Sequence, residues 1–363
     1  MTARPRRPWV IVASYPSWPS PYFAEIARHA PANLNLEFAS DLDALTRRSG
    51  PAGVINLHRL KRLYRQSDGT RTVEAADRML HRLNELRWQG WYLVWTVHNL
   101  LPVDGPPPGE ADYRAAHGVL GLADAVITHT RADADHLSRL TSAPVTIAGW
   151  GGITARSATP ATAPHRVAEL ADRMAHGPMS ILVLGNLTPY KDPRGVIDAF
   201  IRHSRSSRLF LVGPCHEEGV VRDLTAAAQR SNGRIQVHLE RIAPEYIGAL
   251  YQAADAALCP YRTDGPWEFF YRILYPSSVA TAVEFALPVI APDLPPIREI
   301  TDGHPRLLYP PAAGPSAVLG AAEEHRWPQF PADQRHGWRA VMAAYVEVSR
   351  TLLPMSPPAP RIT

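Results

Sequence analysis

The sequence predicts an α/β protein of two doubly wound parallel-sheet domains that face each other across a cleft. Its 363 residues exceed the length at which a single hydrophobic core usually keeps growing, so two domains are expected. Short apolar segments of strand length alternate with segments of helical period, and this alternation occurs twice along the chain. A stretch rich in Ala, Thr and Pro at residues 153–165 separates the two series.

The first series occupies residues 1–150. Its strands are apolar runs such as GVINLH at 53–58 and WYLVWTV at 91–97. Its clearest helix, at 73–89, repeats its apolar residues with the 3.6-residue period of a helix. The complete prediction places strands at 9–14, 34–39, 53–58, 91–97, 125–128 and 145–148, and helices at 22–29, 73–89, 112–121 and 132–140.

The second series occupies residues 179–325, after a linker region at 151–178. We predict strands at 180–184, 209–212, 235–239, 256–259 and 289–291, and helices that end near 203 and that span 218–230, 244–253 and 279–287. Residues 326–353 are expected to hold an amphipathic C-terminal helix that crosses back to the N-terminal domain. The Pro-rich residues 354–363 are expected to be a disordered tail.

The composition excludes several classes of protein. A net charge of +4 and a pI of about 9.1 are only mildly basic, and without a basic arm they do not indicate nucleic-acid binding. Cys215 and Cys259 are too few for a disulfide framework or a cysteine-based metal site, so a reducing cytoplasm is the expected location. The apolar run near the N-terminus is too short for a signal peptide, and no run reaches the ~18 residues of a membrane span.

A basic cluster follows the predicted strand at 53–58. Two interpretations are open: a solvated loop or helix face, or a peripheral contact with an anionic membrane at its inner face or with an acidic acceptor. The cluster consists of Arg59, Lys61, Arg62 and Arg65.

The candidate functional residues concentrate at the carboxyl ends of predicted strands, where doubly wound sheets bind their ligands. The segment GNLTPYK at 185–191 starts with a glycine, which lets backbone approach a ligand closely, and ends with a lysine that can return to a phosphate. A glycine turn with an exposed lysine is the alternative. The absence of G-x-G-x-x-G after the first strand and of a P-loop disfavours a dinucleotide dehydrogenase and a P-loop NTPase. The strand-end residues are His58, His98, Gly185, Lys191, Gly213 and Tyr261.

The stretch at 271–300 predicts a loop, a helix and a short buried strand. Ser277 and Ser278 precede an apolar run, where helix caps belong. The start of a helix presents unpaired N–H groups and suits a phosphate, and Glu284 farther along could bind two hydroxyls of a sugar or ribose. An ordinary α/β repeat with capping serines is the other interpretation.

The C-terminal half resembles that of GT-B glycosyltransferases, especially the retaining, nucleotide-sugar-dependent group 1 (family 4-like) enzymes. Their pattern is a glycine–loop–lysine, then VGP, then Y-x-x-A-D…P-Y, then an acidic helix followed by G-x-P-V-I-A. This chain has GNLTPYK, LVGP, YQAADAALCPY and EFALPVIA in the same order. The resemblance covers residues 178–305, and more loosely 1–150 and the C-terminal helix.

The resemblance implies a role for each matching position. Lys191 would contact the donor diphosphate with added charge from Arg194, Ser277 and Ser278 would hold phosphate oxygens, and Glu284 would bind the ribose. His98 would lie near the transferred sugar, and a satisfied buried histidine is the alternative for it and for His58. The remaining donor positions are Gly185, Gly213, Arg241, Tyr261 and the backbone of Val279, and the acceptor positions are Trp18, Tyr22 and His58.

Two positions depart from the family pattern. The glutamate eight residues before Glu284, which touches the donor sugar in the family, is here Pro276. The glycine before the Pro-Val-Ile-Ala turn is matched to Leu287. Asp264 or Glu268 could supply a replacement carboxylate.

The resulting hypothesis is hexosyl transfer from a nucleotide-diphosphate sugar, a UDP- or GDP-sugar, to a hydroxyl of a glycan, a glycolipid or a small molecule. Lys191, Arg194 and the amides at 277–279 would stabilise the leaving diphosphate without a metal ion or a cofactor. Inversion would require a carboxylate base, for which Asp104 is the candidate, and the choice between retention and inversion stays open. The alternatives are a non-catalytic nucleotide-sugar or glycan-binding protein, and a phosphorylase or epimerase of the same architecture.

Overall fold

The structure is a computed structural model that describes residues 7–12, 21–103, 105–151, 163–325, 327 and 337–353. These residues form two α/β units. Unit 1 contains the described residues up to Gly151, the segment Ile273–Tyr275 and the C-terminal helix. Unit 2 contains the described residues from 163 to Arg272 and from Pro276 onward, up to residue 327. The chain therefore leaves unit 2 for three residues and then returns to it.

In unit 1, the described strands form a six-stranded parallel sheet in the order β2-β1-β3-β4-β5-β6. Its central strands are rich in Val, Ile and Leu because both faces of a parallel sheet are covered. The elements are β1 (Trp9–Val12), α1 (Pro21–His29), β2 (Leu36–Ala39), α2 (Asp43–Thr46), β3 (Val54–Leu57), α3 (Lys61–Tyr64), α4 (Val73–Trp88), β4 (Tyr92–Thr96), α5 (Glu110–Leu122), β5 (Ala125–Thr128), α6 (Arg131–Leu137) and β6 (Val145–Ile147).

In unit 2, the described strands form a second six-stranded parallel sheet, in the order β12-β11-β10-β7-β8-β9. The strand order reverses between β7 and β10, which is the position where such sheets open a ligand crevice. The elements are α7 (His165–Ala175), β7 (Ser180–Leu184), α8 (Pro193–His203), β8 (Arg208–Val212), α9 (Glu218–Arg230), β9 (Ile235–His238), α10 (Ile247–Ala253), β10 (Ala256–Leu258), α11 (Ser277–Glu284), β11 (Val289–Pro292), α12 (Pro295–Ile300), β12 (Arg306–Tyr309) and α13 (Leu319–Glu324).

The C-terminal helix α14 (Trp338–Leu352) belongs to unit 1, where it packs beside α1. Tyr345 is fully buried, its ring lies 5.4 Å from the ring of Trp9, and its hydroxyl lies 3.2 Å from Thr96 Oγ1. Each large apolar side chain buried in this way contributes about 2 kcal/mol. Because α14 covers one face of the sheet, the core of unit 1 includes residues from both ends of the chain.

The prediction of two doubly wound parallel sheets is confirmed, but several details differ. The predicted linker at 151–178 holds the helix α7, whose Val167, Leu170, Ala171 and Met174 are buried at helical spacing. The strand β12 and the short helices α2, α3, α12 and α13 were not predicted, because four to six residues carry little periodicity. The expected tail at 354–363 lies outside the described residues. None of the helices in the described ranges is long and apolar enough to cross a membrane.

Candidate functional site

Two glycines end neighbouring strands of unit 2 and bring their backbones together. Gly185 follows β7 with φ of 109°, and Gly213 follows β8 with φ of 132°. A Cβ atom on Gly213 would lie 2.3 Å from the carbonyl oxygen of Gly185, which no side chain could tolerate. Both positions therefore need glycine, and together they leave open backbone at the carboxyl edge of the sheet.

Lys191 returns to this edge, as the sequence predicts. It closes a short 3₁₀ turn, and its Nζ donates to the carbonyl oxygen of Leu184 at 3.0 Å. A Cβ atom on Gly185 would lie 2.9 Å from that Nζ, and Lys191 is only 6% exposed. Burial lowers the pKa of Lys191 to about 8, although Cys259 opposes the shift. The positive charge of the ammonium group is thus not fully compensated within the protein. An anion bound beside it would raise the pKa of Lys191 and keep its amine protonated.

A set of hydroxyl and thiol groups lies on the other side of the strand-order reversal. Tyr261 and Ser278 share a hydrogen bond of 2.7 Å between their side-chain oxygens. Burial raises the pKa of the Cys259 thiol to about 11, while Ser278 and Lys191 act in the opposite direction. These neighbours of Lys191 are neutral groups, so the described site supplies hydrogen-bond donors and one positive charge.

Helix α11 begins differently from the prediction. Its N-cap is Pro276, and Ser277 and Ser278 occupy the first turn without a side-chain capping bond. The prediction of capping serines is wrong because Ser278 uses its hydroxyl for Tyr261. The first-turn N–H groups of Ser277, Ser278 and Val279 have no partner within the helix, as in any helix start.

The end of α11 corrects the alignment of the glycine. Leu287 N donates to Ala282 O at 2.9 Å and Ala286 N to Val283 O at 3.1 Å, which is the Schellman pattern. Ala286, with φ of 56°, occupies the left-handed position where glycine is preferred. The glycine of G-x-P-V-I-A therefore corresponds to Ala286 and not to Leu287. Glu284 closes the helix and is half-buried.

In unit 1, three histidines follow three adjacent strands and bond to one another. His58 Nδ1 lies 3.0 Å from His98 Nε2, and His98 Nδ1 lies 2.9 Å from His129 Nε2. At the ends of this histidine chain, His58 Nε2 lies 2.9 Å from Asn56 Oδ1 and His129 Nδ1 lies 2.8 Å from the carbonyl oxygen of Gly149. Both ring nitrogens of His98 are therefore occupied by other histidines.

Aromatic rings enclose the histidine chain. Tyr22 meets His98 edge-on at 4.7 Å between ring centroids, and Tyr275 lies 4.2 Å from His129. Burial, together with the other histidines and Arg59, holds the pKa of His98 well below its ordinary value. Burial is also the main reason that the pKa of His58 falls to about 3 and that of His129 to about 4. The three rings are accordingly neutral near pH 7.

Comparison with known proteins identifies the family of the C-terminal half and the fold of the chain. Residues 178–324 match the family model described as Glycosyl transferases group 1. Residues 178–324 are a group 1 glycosyltransferase domain. The protein is therefore a glycosyltransferase, as the resemblance of its motifs implies.

Solved structures of glycosyltransferases have the same fold over most of this chain. Anabaena Alr3699/HepE in complex with UDP-glucose is 14% identical with a TM-score of 0.60, and the match covers 95% of this chain and all of that one. The UDP-forming α,α-trehalose-phosphate synthase from Burkholderia vietnamiensis is 14% identical with a TM-score of 0.56, and the match covers 85% and 75% of the two chains. At such identities the likeness establishes the fold, which is GT-B. No curated protein matches the sequence.

Several other predicted site residues of this glycosyltransferase are exposed or are paired with other side chains. Arg194 pairs with Asp223 at 2.6 Å and is half exposed, so its charge is directed toward α9. Arg241 is exposed in a loop. The replacement carboxylate Asp264 is bound by Arg262 at 2.6 Å, and Glu268 is exposed in a 3₁₀ helix. Trp18 and Asp104 lie outside the described residues.

The sequence analysis missed His129 and Tyr275. His129 directly follows a buried strand in VITHT, as His58 does in VINLH, and this shared position was the available signal. Tyr275 gave no such signal, because it lies in the segment that the chain contributes to unit 1 from between two parts of unit 2. Within the described ranges, no group of three or more His, Cys, Asp or Glu residues is arranged to hold a metal ion.

Proposed function

We propose that this glycosyltransferase moves a sugar from a nucleotide-diphosphate donor to a hydroxyl acceptor, with the donor bound by unit 2 and the acceptor by unit 1. The observation that carries the proposal is the placement of Lys191 Nζ. It is buried at the carboxyl edge of the sheet, beside Gly185 and at the reversal of strand order. A diphosphate is the ligand whose charge and size suit such a position.

A uridine nucleotide is the first candidate for the donor. The relatives of the same fold include Alr3699/HepE in complex with UDP-glucose and a trehalose-phosphate synthase described as UDP-forming. Arg241 in its loop and the carboxylate of Glu284 are the proposed partners of the base and the ribose. GDP stays the second candidate.

The chemistry follows from charge. Breaking the bond between sugar and phosphate builds negative charge on the leaving diphosphate, and fixed donors aimed at that charge lower the barrier. Lys191 supplies a cation, and the N–H groups of Ser277, Ser278 and Val279 supply the positive end of α11. Thr188 Oγ1 in the same loop as Lys191 is buried and has no hydrogen-bond partner among the described residues, so it is available to a phosphate oxygen.

The residues of unit 1 have separate proposed roles. Tyr22 lies against His98 and is the proposed acceptor contact. His98 is partly buried and can contribute the contact surface or the position of its ring, since both ring nitrogens are occupied. His58, at 4% exposure, is better placed to support His98 than to meet an acceptor. Asp104 stays the candidate base if the reaction inverts.

A thermal-shift experiment tests the donor site. We expect UDP to raise the unfolding midpoint more than GDP, dTDP or ADP, because ligand binding to the native state stabilises it by mass action. The effect should disappear in Lys191→Met. Arg222→Met is the matched control, because it also removes one positive charge from unit 2 but at an exposed position on α9. If UDP raised the unfolding midpoint of Lys191→Met as much as that of the wild type, the assignment of the donor site would be refuted.

A non-catalytic nucleotide-sugar binding protein is the second candidate function. It is favoured by Pro276, which stands where the family has a sugar-contacting glutamate, and by the ion pair that engages Asp264. Release of UDP from UDP-glucose, with and without candidate acceptors, separates the two. Binding without any release would support this alternative.

Peripheral membrane contact through Arg59, Lys61, Arg62 and Arg65 stays a separate proposal. Arg59 and Arg65 are exposed, and Lys61–Tyr64 is one helical turn. Co-sedimentation with vesicles of anionic lipid would test it. Lack of binding at low salt would exclude it.

A further inference from the structure

The histidine chain contains more hydrogen-bonded contacts than its rings have protons. It makes four contacts: Asn56 to His58, His58 to His98, His98 to His129, and His129 to Gly149. Each contact needs one N–H proton, and three neutral imidazoles supply three. As placed, both ends of the chain are oxygen acceptors, so one contact lacks a proton.

Two arrangements remove this deficit. A fourth proton could make one ring an imidazolium, or the Asn56 amide could turn so that its NH₂ group donates to His58 Nε2. The turned amide oxygen would then take the place of Nδ2, which lies 3.0 Å from Thr96 Oγ1. The turn gives up three long contacts of the amide, from Trp9 Nε1 at 3.4 Å and to the carbonyl oxygens of Val94 and Leu57 at 3.4 and 3.5 Å, in exchange for the shorter bond to His58 at 2.9 Å. Thr96 can donate to it, because the hydroxyl of Tyr345 at 3.2 Å can donate to Thr96 in turn.

The surroundings favour the neutral arrangement. Asn56 is fully buried, and His58 and His129 are 4% and 1% exposed. The rings that face His98 from other elements are Tyr22 of α1 and Tyr275, and neither carries a charge near pH 7.

Arg59 does not favour a cation either, because it is positive and acts against a further positive charge at His98. Asp133, a buried carboxylate of α6, accepts from the backbone N–H of Leu274, next to Tyr275. Within the part of the chain that the structure describes, the groups that shift the pKa of His98 and of His129 include no carboxylate, and a buried cation without a paired carboxylate is costly.

We propose that His58 and His129 are positioning residues for His98, which they hold as a neutral Nδ1–H tautomer. The direction of the chain is set at one end, because the Gly149 carbonyl can only accept, so His129 must carry its proton on Nδ1. His129 Nε2 then accepts from His98 Nδ1–H, His98 Nε2 accepts from His58 Nδ1–H, and His58 Nε2 accepts from the Asn56 amide. All three rings are therefore Nδ1–H tautomers.

This arrangement defines what His98 can do. Both of its nitrogens are occupied, so it does not exchange a proton in the reaction, and its contribution is a fixed ring in a fixed orientation. The link to sugar transfer rests on the proposed function, whereas the tautomers and the protonation state are properties of the free protein. Loss of His129 would release one nitrogen of His98 and let the ring rotate and change tautomer.

Nitrogen NMR of the free protein with ¹⁵N-labelled histidine tests the proposal directly. We expect three histidines in the Nδ1–H form at pH 7 that do not titrate between pH 5.5 and 8. His129→Phe keeps a ring beside Tyr275 but cannot accept from His98, and it should give His98 a mixture of tautomers. His176→Asn is the matched control, because His176 is exposed at the end of α7 and its loss should leave the three signals unchanged. An imidazolium signal from the chain at pH 7, or an Nε2–H form of His98, would overturn the proposal.

Two further variants keep the proposal falsifiable if His129→Phe fails to fold. In His129→Asn the amide can still accept from His98 and donate to Gly149, so the Nδ1–H form of His98 should be retained. In Asn56→Asp the ionised carboxylate can only accept, so the chain and the carboxyl group together should bind a fourth proton, seen as one imidazolium or as a protonated Asp side chain at position 56. Carbon NMR of the labelled carboxyl group distinguishes the two, and an ionised carboxylate beside three neutral histidines would contradict the proton count.

Turnover supplies the readout for positioning. We expect His129→Phe to lower kcat about tenfold with little change in KM for the donor, and His129→Asn to restore most of it. The kcat of the wild type should show no histidine titration from pH 5.5 to 8, whereas His129→Phe should acquire one. If no substrate is turned over, the proposed function fails but the NMR result still decides the tautomers. An unchanged kcat in His129→Phe, in a protein that does turn over, would refute the positioning role.

Discussion

Replacing Lys191 with methionine should stabilise the ligand-free protein at pH 7. Burial lowers the pKa of Lys191 from its ordinary value of 10.5 to about 8, a difference of 2.5 pH units. At 1.36 kcal/mol per unit this corresponds to about 3 kcal/mol of unfavourable free energy for holding the charge in the folded state. Methionine has a similar unbranched shape and carries no charge.

The hydrogen bond to the carbonyl oxygen of Leu184 reduces the gain. Lys191→Met leaves that acceptor unpaired, at a cost of about 1 kcal/mol. The net expectation is a free energy of unfolding about 2 kcal/mol higher than that of the wild type at pH 7. The variant is therefore expected to be more stable and at the same time unable to bind the nucleotide.

The stability advantage of Lys191→Met over the wild type should decrease as the pH rises above 8. The folded state of the wild type binds fewer protons than the unfolded state between pH 8 and 10.5, so wild-type stability from this group rises across that window. By pH 9.5 the cost of the buried charge has fallen by about 2 kcal/mol, and the advantage of Lys191→Met should have nearly disappeared.

Urea denaturation followed by circular dichroism at pH 7, 8, 9 and 9.5 measures this difference. Arg222→Met serves as the control, since an exposed charge should give no such pH-dependent gap. A Lys191→Met protein that is less stable than the wild type at pH 7, or a gap that is constant with pH, would refute the reasoning.

Three further predictions concern unit 2. Ala286→Gly should raise the free energy of unfolding by about 0.5–1 kcal/mol in urea, because the left-handed φ of 56° suits glycine; a loss of stability would contradict this. Gly213→Ala should lower the free energy of unfolding by more than about 2 kcal/mol, because its Cβ would meet Gly185 O at 2.3 Å. Gly233→Ala is the control: it has open space around it and should lower the free energy of unfolding by only about 1 kcal/mol. Equal losses in the two variants would count against the argument. Glu323 accepts hydrogen bonds from the 204–207 loop, and although burial opposes the shift, these bonds lower its pKa to about 2. Its contribution to stability should therefore be present above pH 4.5 and lost as pH falls toward 2. Glu323→Gln should lose less stability in acid than the wild type, and an unchanged dependence of stability on pH would argue against this.

The sequence predicted the fold of both units because the strands are continuous apolar runs with helices between them. It also placed Lys191 at the end of β7, since a glycine after a strand and a lysine six residues later is a local pattern. What it could not show was the direction of a side chain. Arg194 is one turn from Lys191 in sequence, yet it turns to Asp223 on a different helix.

The histidine chain was only partly predictable for the same kind of reason. His58 and His98 were singled out by their positions at strand ends, but their mutual hydrogen bonds depend on which strands are neighbours, and β3, β4 and β5 become adjacent only in the folded sheet. The role of Tyr275 could not be predicted from the sequence, because the segment of three residues that joins the other unit is too short to show a periodic pattern. The position of the helix-ending glycine was misassigned by one residue, and the backbone angle and hydrogen bonds at Ala286 corrected it, in agreement with the spacing of G-x-P-V-I-A.

Proton uptake on nucleotide binding tests the central claim most directly, that a diphosphate binds beside Lys191. Calorimetry with UDP at pH 8, in two buffers of different ionisation enthalpy, reports the protons taken up by the complex. With a pKa of about 8, about half of the Lys191 amines are neutral in the free protein, so binding should take up about half a proton. The uptake should be absent in Lys191→Met. UDP binding without proton uptake in the wild type, or the same affinity in Lys191→Met, would contradict the account.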